Sequence, residues 1–161
     1  MSVNFLKRIY AVLLLAGPVT GYAQECVDYH MLGDCILDKQ KNYDIYSQSK
    51  SVLMSPMDSV DYNIVFYRQK DYILSFCTHK KLYPIHFKLI DPDTREVCYD
   101  NQSDNYIESL GIGFELTRNF IIRVNVLARR ATEDEIEKKV GCVGLLIQYK
   151  NYPEKNVTHQ F

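Results

Sequence analysis

The chain has no tryptophan, no C-x-x-C pair, no apolar run near 20 residues and no excess of positive charge. Each absence closes off a class of protein. Without tryptophan, a sugar-binding face loses its best stacking platform. Without basic excess, there is no stripe to neutralise nucleic-acid phosphates or an anionic membrane surface, so neither partner is expected. The four histidines, His30, His79, His86 and His159, show no H-x-H, H-x-x-x-H or HExxH spacing. A zinc site would therefore have to be assembled from unrelated loops, and solvated histidines are the simpler reading. G-x-S-x-G, a P-loop and a dinucleotide fingerprint are also missing, which leaves every enzyme class without positive evidence.

What is present begins with an export signal. Lys7 and Arg8 form a basic start, Ile9 to Gly17 is apolar but too short to span a bilayer, and Gly21-Tyr22-Ala23 puts small residues at a cleavage site. Residues 1–23 read as a signal peptide, with Gln24 starting the mature chain of 138 residues. Its removal takes the 19 basic residues to 17 against 20 acidic ones, a net charge of −3. That length is one domain's worth, able to bury about two-thirds of the unfolded chain's surface. The expected location is the periplasm or the extracellular space, with no transmembrane segment after cleavage.

Residues 24–43 lack a sustained hydrophobic period and read as a lead-in with at most one short helical turn. From 44 to 150 the period is that of strands. Asp61–Tyr67, Asp71–Cys77 and Ile85–Ile90 alternate large apolar residues with others across turn-sized links, which suggests a three-stranded meander as the seed of the fold. Tyr46–Met54, Arg95–Tyr99, Tyr106–Leu116, Phe120–Ala128 and Cys142–Lys150 supply the remaining strands. Asp91-Pro92-Asp93-Thr94 has the composition of a type I turn. Thr132-Glu133-Asp134-Glu135 fits a capping box opening a brief helix before Gly141. Residues 151–161 read as a polar tail. The sum is an all-β protein: an antiparallel β-sandwich, jelly-roll-like, of about eight strands with one short helical insertion. Gly111, Gly113 and Gly144 weaken two strands, either of which could be an edge open to strand addition.

Five cysteines in an exported domain imply two disulfides and one remainder. Cys26 and Cys35 are close in sequence and read as a local pair. Strand parity puts Cys77 and Cys142 on the outer faces of their strands, which makes them the second pair. Cys98 is left as a free thiol, with packing in the sandwich a simpler role than that of nucleophile.

Candidate binding residues are few. Tyr62, Tyr67, Tyr72 and Tyr99 could form a flat face for a sugar or a partner, or line the edge of the core. Asp100, Asn101 and Asp104, or Asp91 and Asp93, are the oxygen donors from which a calcium loop would be built, and equally the ordinary composition of turns. No other cofactor is expected. Asn101-Gln102-Ser103 and Asn156-Val157-Thr158 match the glycosylation sequon. A hydrolase with a loop-assembled site would need His79 or His86 in a cleft beside a carboxylate.

Four stretches carry a resemblance: Tyr46-Ser47-Gln48-Ser49-Lys50-Ser51, Asp71 to Cys77, Tyr99-Asp100-Asn101 and Gly141 to Ile147. Together they resemble small exported proteins of Bacteroidota with no assigned activity. More loosely, the strand order is similar to the pre-peptidase C-terminal type of β-sandwich, a non-catalytic accessory module of secreted proteins. That resemblance implies an accessory or binding role and a calcium loop. The expectation is a non-enzymatic exported protein that binds an envelope protein or extracellular ligand, with a glycan-binding module and a hydrolase as alternatives.

Overall fold

The computed structural model describes residues 26–32, 35, 42–127 and 140–152. Among them are nine strands: β1 (Asp44–Ile45), β2 (Lys50–Met54), β3 (Ser59–Phe66), β4 (Lys70–Thr78), β5 (Ile85–Ile90), β6 (Val97–Asp100), β7 (Ser109–Phe114), β8 (Arg118–Val126) and β9 (Gly141–Asn151). One sheet runs β9–β4–β7, with β1 and β2 both pairing with successive stretches of β9; the other runs β3–β8–β5–β6. All pairs are antiparallel, and four of them are nested: β2 with β9, β3 with β8, β4 with β7, β5 with β6. The chain is thus one long hairpin rolled into two layers, and the β4–β9 and β5–β8 pairings close the roll. This is a jelly roll.

The expected meander is not found. Its three strands exist, but β3 and β5 lie in one sheet with β8 between them, and β4 lies in the other. A period of two says that one face is buried, whether the next strand is a neighbour in the same sheet or sits across the core. The strand expected over Tyr46–Met54 is broken at Tyr46–Ser49, where the chain bends between β1 and β2. Of the two glycine-weakened strands, β7 is an edge among the described residues, whereas β9 is central. The signal peptide, the capping-box helix and the tail beyond residue 152 lie outside the described residues. A short helix, α1 (Tyr29–Leu32), stands in the lead-in.

The core follows from strand parity. Tyr72, Leu74 and Phe76 on β4 and Val143, Leu145 and Ile147 on β9 face Ile64 and Phe66, Phe87 and Leu89, and Ile122 and Val124 of the second sheet. Phe76 stacks on Phe87 at 4.1 Å between ring centroids, and Phe66 on Phe114 at 4.9 Å, so aromatic pairs join the layers. At one margin Tyr46 ties the sheets together. Its hydroxyl donates to the Val65 carbonyl at 2.6 Å and accepts from Gln48 Nε2 at 2.9 Å, while Val65 N–H donates to Gln48 Oε1.

The disulfides join Cys26 to Cys142 and Cys35 to Cys77, with Cα separations of 5.4 and 4.8 Å. The four participating cysteines are those expected, but the pairing is not. Cys77 and Cys142 do lie on the outer face of adjacent strands, yet Cys77 is opposite Gly144, two residues from Cys142. Such diagonal neighbours are about 7–8 Å apart, beyond easy disulfide reach. Each is met instead by a cysteine of the lead-in, which lies across the outer face of this sheet. Cys35, Cys77, Leu146 and Tyr29 form a second apolar cluster there. Spanning 116 and 42 residues, the two links contribute about 5 and about 4 kcal/mol in the chain-entropy model.

Gly144 is what admits the lead-in. A Cβ there would lie 2.8 Å from Cys77 Sγ and 3.0 Å from His30 Cα, whereas one at Gly111 meets nothing within 4 Å. Gly144→Ala should therefore destabilise the fold by about 1–3 kcal/mol, while Gly111→Ala should be neutral or slightly stabilising, as read by chemical denaturation. A digest under non-reducing conditions should yield the Cys26–Cys142 and Cys35–Cys77 peptides; recovery of a Cys26–Cys35 peptide would contradict the arrangement.

Candidate functional site

With the lead-in on one sheet, the outer face of the other is the broad surface that no other described segment covers. Its side chains are those that parity turns away from the core: Asp61 on β3, Arg123 and Asn125 on β8, His86 and Lys88 on β5, and Asp100 on β6. Register places Asp61 opposite Arg123, Arg123 opposite Lys88, and Lys88 opposite Asp100. The result is a row of four charges across four strands. Two cations side by side at its centre would repel, and each is relieved by the acid on its outer side. Arg123 donates from Nε and Nη2 to the two Asp61 oxygens at 2.8 Å each. Lys88 Nζ is 2.9 Å from Asp100 Oδ2, and His86 Nε2 is 2.8 Å from Asp100 Oδ1.

The electrostatics follow that geometry. The Arg123 hydrogen bonds hold the Asp61 carboxyl below its usual range, and Asp61 raises Arg123 in return. For Asp100, desolvation works upward, but the Lys88 ammonium, the Gln102 amide and His86 together outweigh it and bring the group down to about 2. Beside the row lies a cleft of about 540 Å³. Lys88, Arg123, Arg95, His86 and Asn125 give its polar lining, and Met57, Ile90, Val97 and Leu127 its apolar part. Arg95 reaches it from the turn after β5. In that turn Asp91 Oδ1 accepts the amides of Asp93 and Thr94, and Arg95 takes a left-handed backbone.

The residues singled out from sequence are dispersed. Tyr72 is 1 % exposed and its hydroxyl accepts the Tyr67 amide, so it is a core residue with no face to offer. Tyr62 and Tyr99 pack against the core, both with hydroxyls pushed up to about 12, in each case chiefly by burial. Of the four, Tyr67 alone is well exposed, at 48 %. They line the margin of the core and form no common platform.

The calcium set is not assembled either. Asp100 is engaged as above, and Asp104 Oδ2 accepts the Tyr99 hydroxyl at 2.7 Å. Asn101 is fully buried: its Oδ1 accepts the Phe87 amide, and its Nδ2 donates to the carbonyls of Ile85 and Ile107. No group of three metal-ligating side chains occurs among the described residues. The sequon at Asn101 is likewise occupied by the interior, and that at Asn156 lies outside the described residues. Cys98 is a free thiol as expected, but it is exposed on β6 and not packed in the sandwich. Asp91 and Asp93 form the turn just described. His79 is exposed beside the Tyr29 ring.

Two sites escaped the sequence reading. The charge row was signalled by polar residues at the outward positions of two strands, His86 and Lys88, Arg123 and Asn125. A contact between His30 Nδ1 and Ser51 Oγ at 2.7 Å had no signal, because the two residues meet only through the lead-in's docking. The same hydroxyl accepts the His30 amide, so the pair anchors α1 to β2. The condition set for a hydrolase is met, since His86 stands in a cleft beside the Asp100 carboxylate. Among the described residues, no hydroxyl or thiol bonds to that histidine.

No family model matches the chain, and no curated protein matches it. Among solved structures it is similar to PliG of Aeromonas hydrophila, a periplasmic lysozyme inhibitor of g-type lysozyme, at 10% identity over 68% of this chain and 90% of that one, with a TM-score of 0.44. No residue role is carried across from it. Among the described residues, no helix is long and apolar enough to cross a membrane.

Asp100 links the site to pH. Because its folded-state value lies below the unfolded one, its ion pairs stabilise the fold above about pH 4 and cease to do so as pH falls towards 2. Asp100→Asn should lower the thermal midpoint at pH 7, and the gap from wild type should close between pH 4 and 2. Asn101→Ala should cost about 3 kcal/mol or more at any pH, since it strands an amide and two carbonyls. Asn101→Asp, which sets a carboxylate against those carbonyls, should cost more; both are read by denaturant titration.

Proposed function

We propose that this chain is an exported, non-enzymatic binding protein that presents the outer face of the β3–β8–β5–β6 sheet to a protein partner in the envelope or outside the cell. The observation that carries this reading is the asymmetry of the two outer faces. One is covered by a lead-in fastened with two disulfides, while the other displays a charge row beside a cleft with an apolar part. Two disulfides support export, since such links persist in oxidising compartments. Exposed Met57 and Val97 beside Arg123 give the mixture of apolar and arginine contacts on which interface energy concentrates. The glycan reading is weakened, because the candidate tyrosines share no surface.

Hydrolysis keeps one supporting observation, the His86–Asp100 pair in the cleft. Turnover of an ester, peptide or glycoside substrate that His86→Asn abolishes would favour it over binding.

The binding reading is tested by immobilising the disulfide-bonded protein in envelope extract and culture fluid. A protein retained by wild type should be lost at least tenfold from Met57→Asp combined with Arg123→Ala. It should persist with Val27→Asp combined with Met31→Asp, two exposed positions in the lead-in. Loss from the lead-in variant with retention by the sheet variant would move the site to the other face.

A further inference from the structure

The cleft has a chemistry of its own. Three cationic side chains, Lys88, Arg95 and Arg123, reach it, along with His86 and Asn125, and among the described residues no acidic side chain lines it. The two acids of the row, Asp61 and Asp100, stand on the outer strands β3 and β6, so the three cations exceed the two carboxylates of the row by one charge. Nor are the donors used up. Arg123 spends two of its five N–H groups on Asp61, and Lys88 one of its three on Asp100. Arg95 makes no ion pair among the described residues and remains close enough to help depress the Asp61 carboxyl. The remaining wall, Met57, Ile90, Val97 and Leu127, is apolar.

We infer that this cleft takes a carboxylate, the side chain of an aspartate or glutamate flanked by apolar residues on a protein partner. The inference rests on the binding reading above and supplies its specificity. A forked guanidinium suits a planar carboxylate, and donors held in place by Asp61 and Asp100 need little ordering on binding. The apolar wall distinguishes a peptide from an acidic polysaccharide, whose hydrated hydroxyls would find no partners on Met57, Val97 and Leu127 and no aromatic ring to stack on.

The test titrates three probes into the isotope-labelled, disulfide-bonded protein and follows its amide resonances: acetyl-Leu-Glu-Leu-amide, acetyl-Leu-Gln-Leu-amide and trigalacturonate. The glutamate peptide should shift Lys88, Arg123 and Asn125 saturably, with the glutamine peptide at least tenfold weaker. Arg95→Ala should weaken the glutamate peptide about fivefold or more, and Arg68→Ala, in the turn between β3 and β4, should leave it unchanged. Equal affinity for both peptides, tighter binding of trigalacturonate, or no saturable shift with any probe would each overturn the inference. Capture of a partner by wild type but not by the sheet variants would still uphold the broader reading, so the two can fail separately.

Discussion

The covalent attachment of the lead-in to the outside of β4 and β9 is the constraint on which the remaining architecture depends. Every residue from Gly141 to Gln148 is buried, on both faces of its strand. A sandwich covers one face of each strand, so the outward Leu146 needs a cover from elsewhere. The lead-in supplies it. Two sulfur links, from Cys26 and Cys35, fasten it there. Gly144 completes the arrangement by leaving room for the backbone of α1.

That cover gives the two layers different exteriors. One carries sulfur, glycine and Leu146 beneath a segment of chain; the other carries two cations flanked by two acids. The row from Asp61 to Asp100 is made of surface ion pairs, and pairs of this kind contribute little to stability one at a time. Their arrangement matters more than their energy. Each acid fixes the direction of one cation, and both cations line the same hollow. A surface built only to remain soluble would not need its charges held in register across four strands.

Much of the fold was legible because parity survives in single strands. The alternation of Phe120, Ile122, Val124 and Val126 with Ile121, Arg123 and Asn125 gave both the core and the outward face of β8. Parity could not assign strands to layers, so β3, β4 and β5 read as one meander. It told which way Cys77 and Cys142 point, but not how far along the strands they are offset. Two residues of register decided the pairing. The acidic loop misled for a related reason: Asp100, Asn101 and Asp104 are adjacent in sequence, yet a 3-10 turn sends one side chain to a neighbouring strand, one inward and one to Tyr99. Outward polar residues on β5 and β8 hinted at the charge row, but its members come from four segments spread between residues 61 and 123. Only the sheet order brings them together.

The link from Cys26 to Cys142 spans almost the whole described chain. The first half of that bond lies near the start of the described residues and its partner near their end. The nested order of the strands runs the same way: β5 and β6 are neighbours in the chain and β2 and β9 are remote, so closure entropy favours zipping from the centre outward. The lead-in is thus the last segment to be fastened, and until then Leu146 and two thiols stand uncovered. The unfinished molecule is consequently most exposed to wrong disulfides and to self-association in the interval before its leading end is locked down.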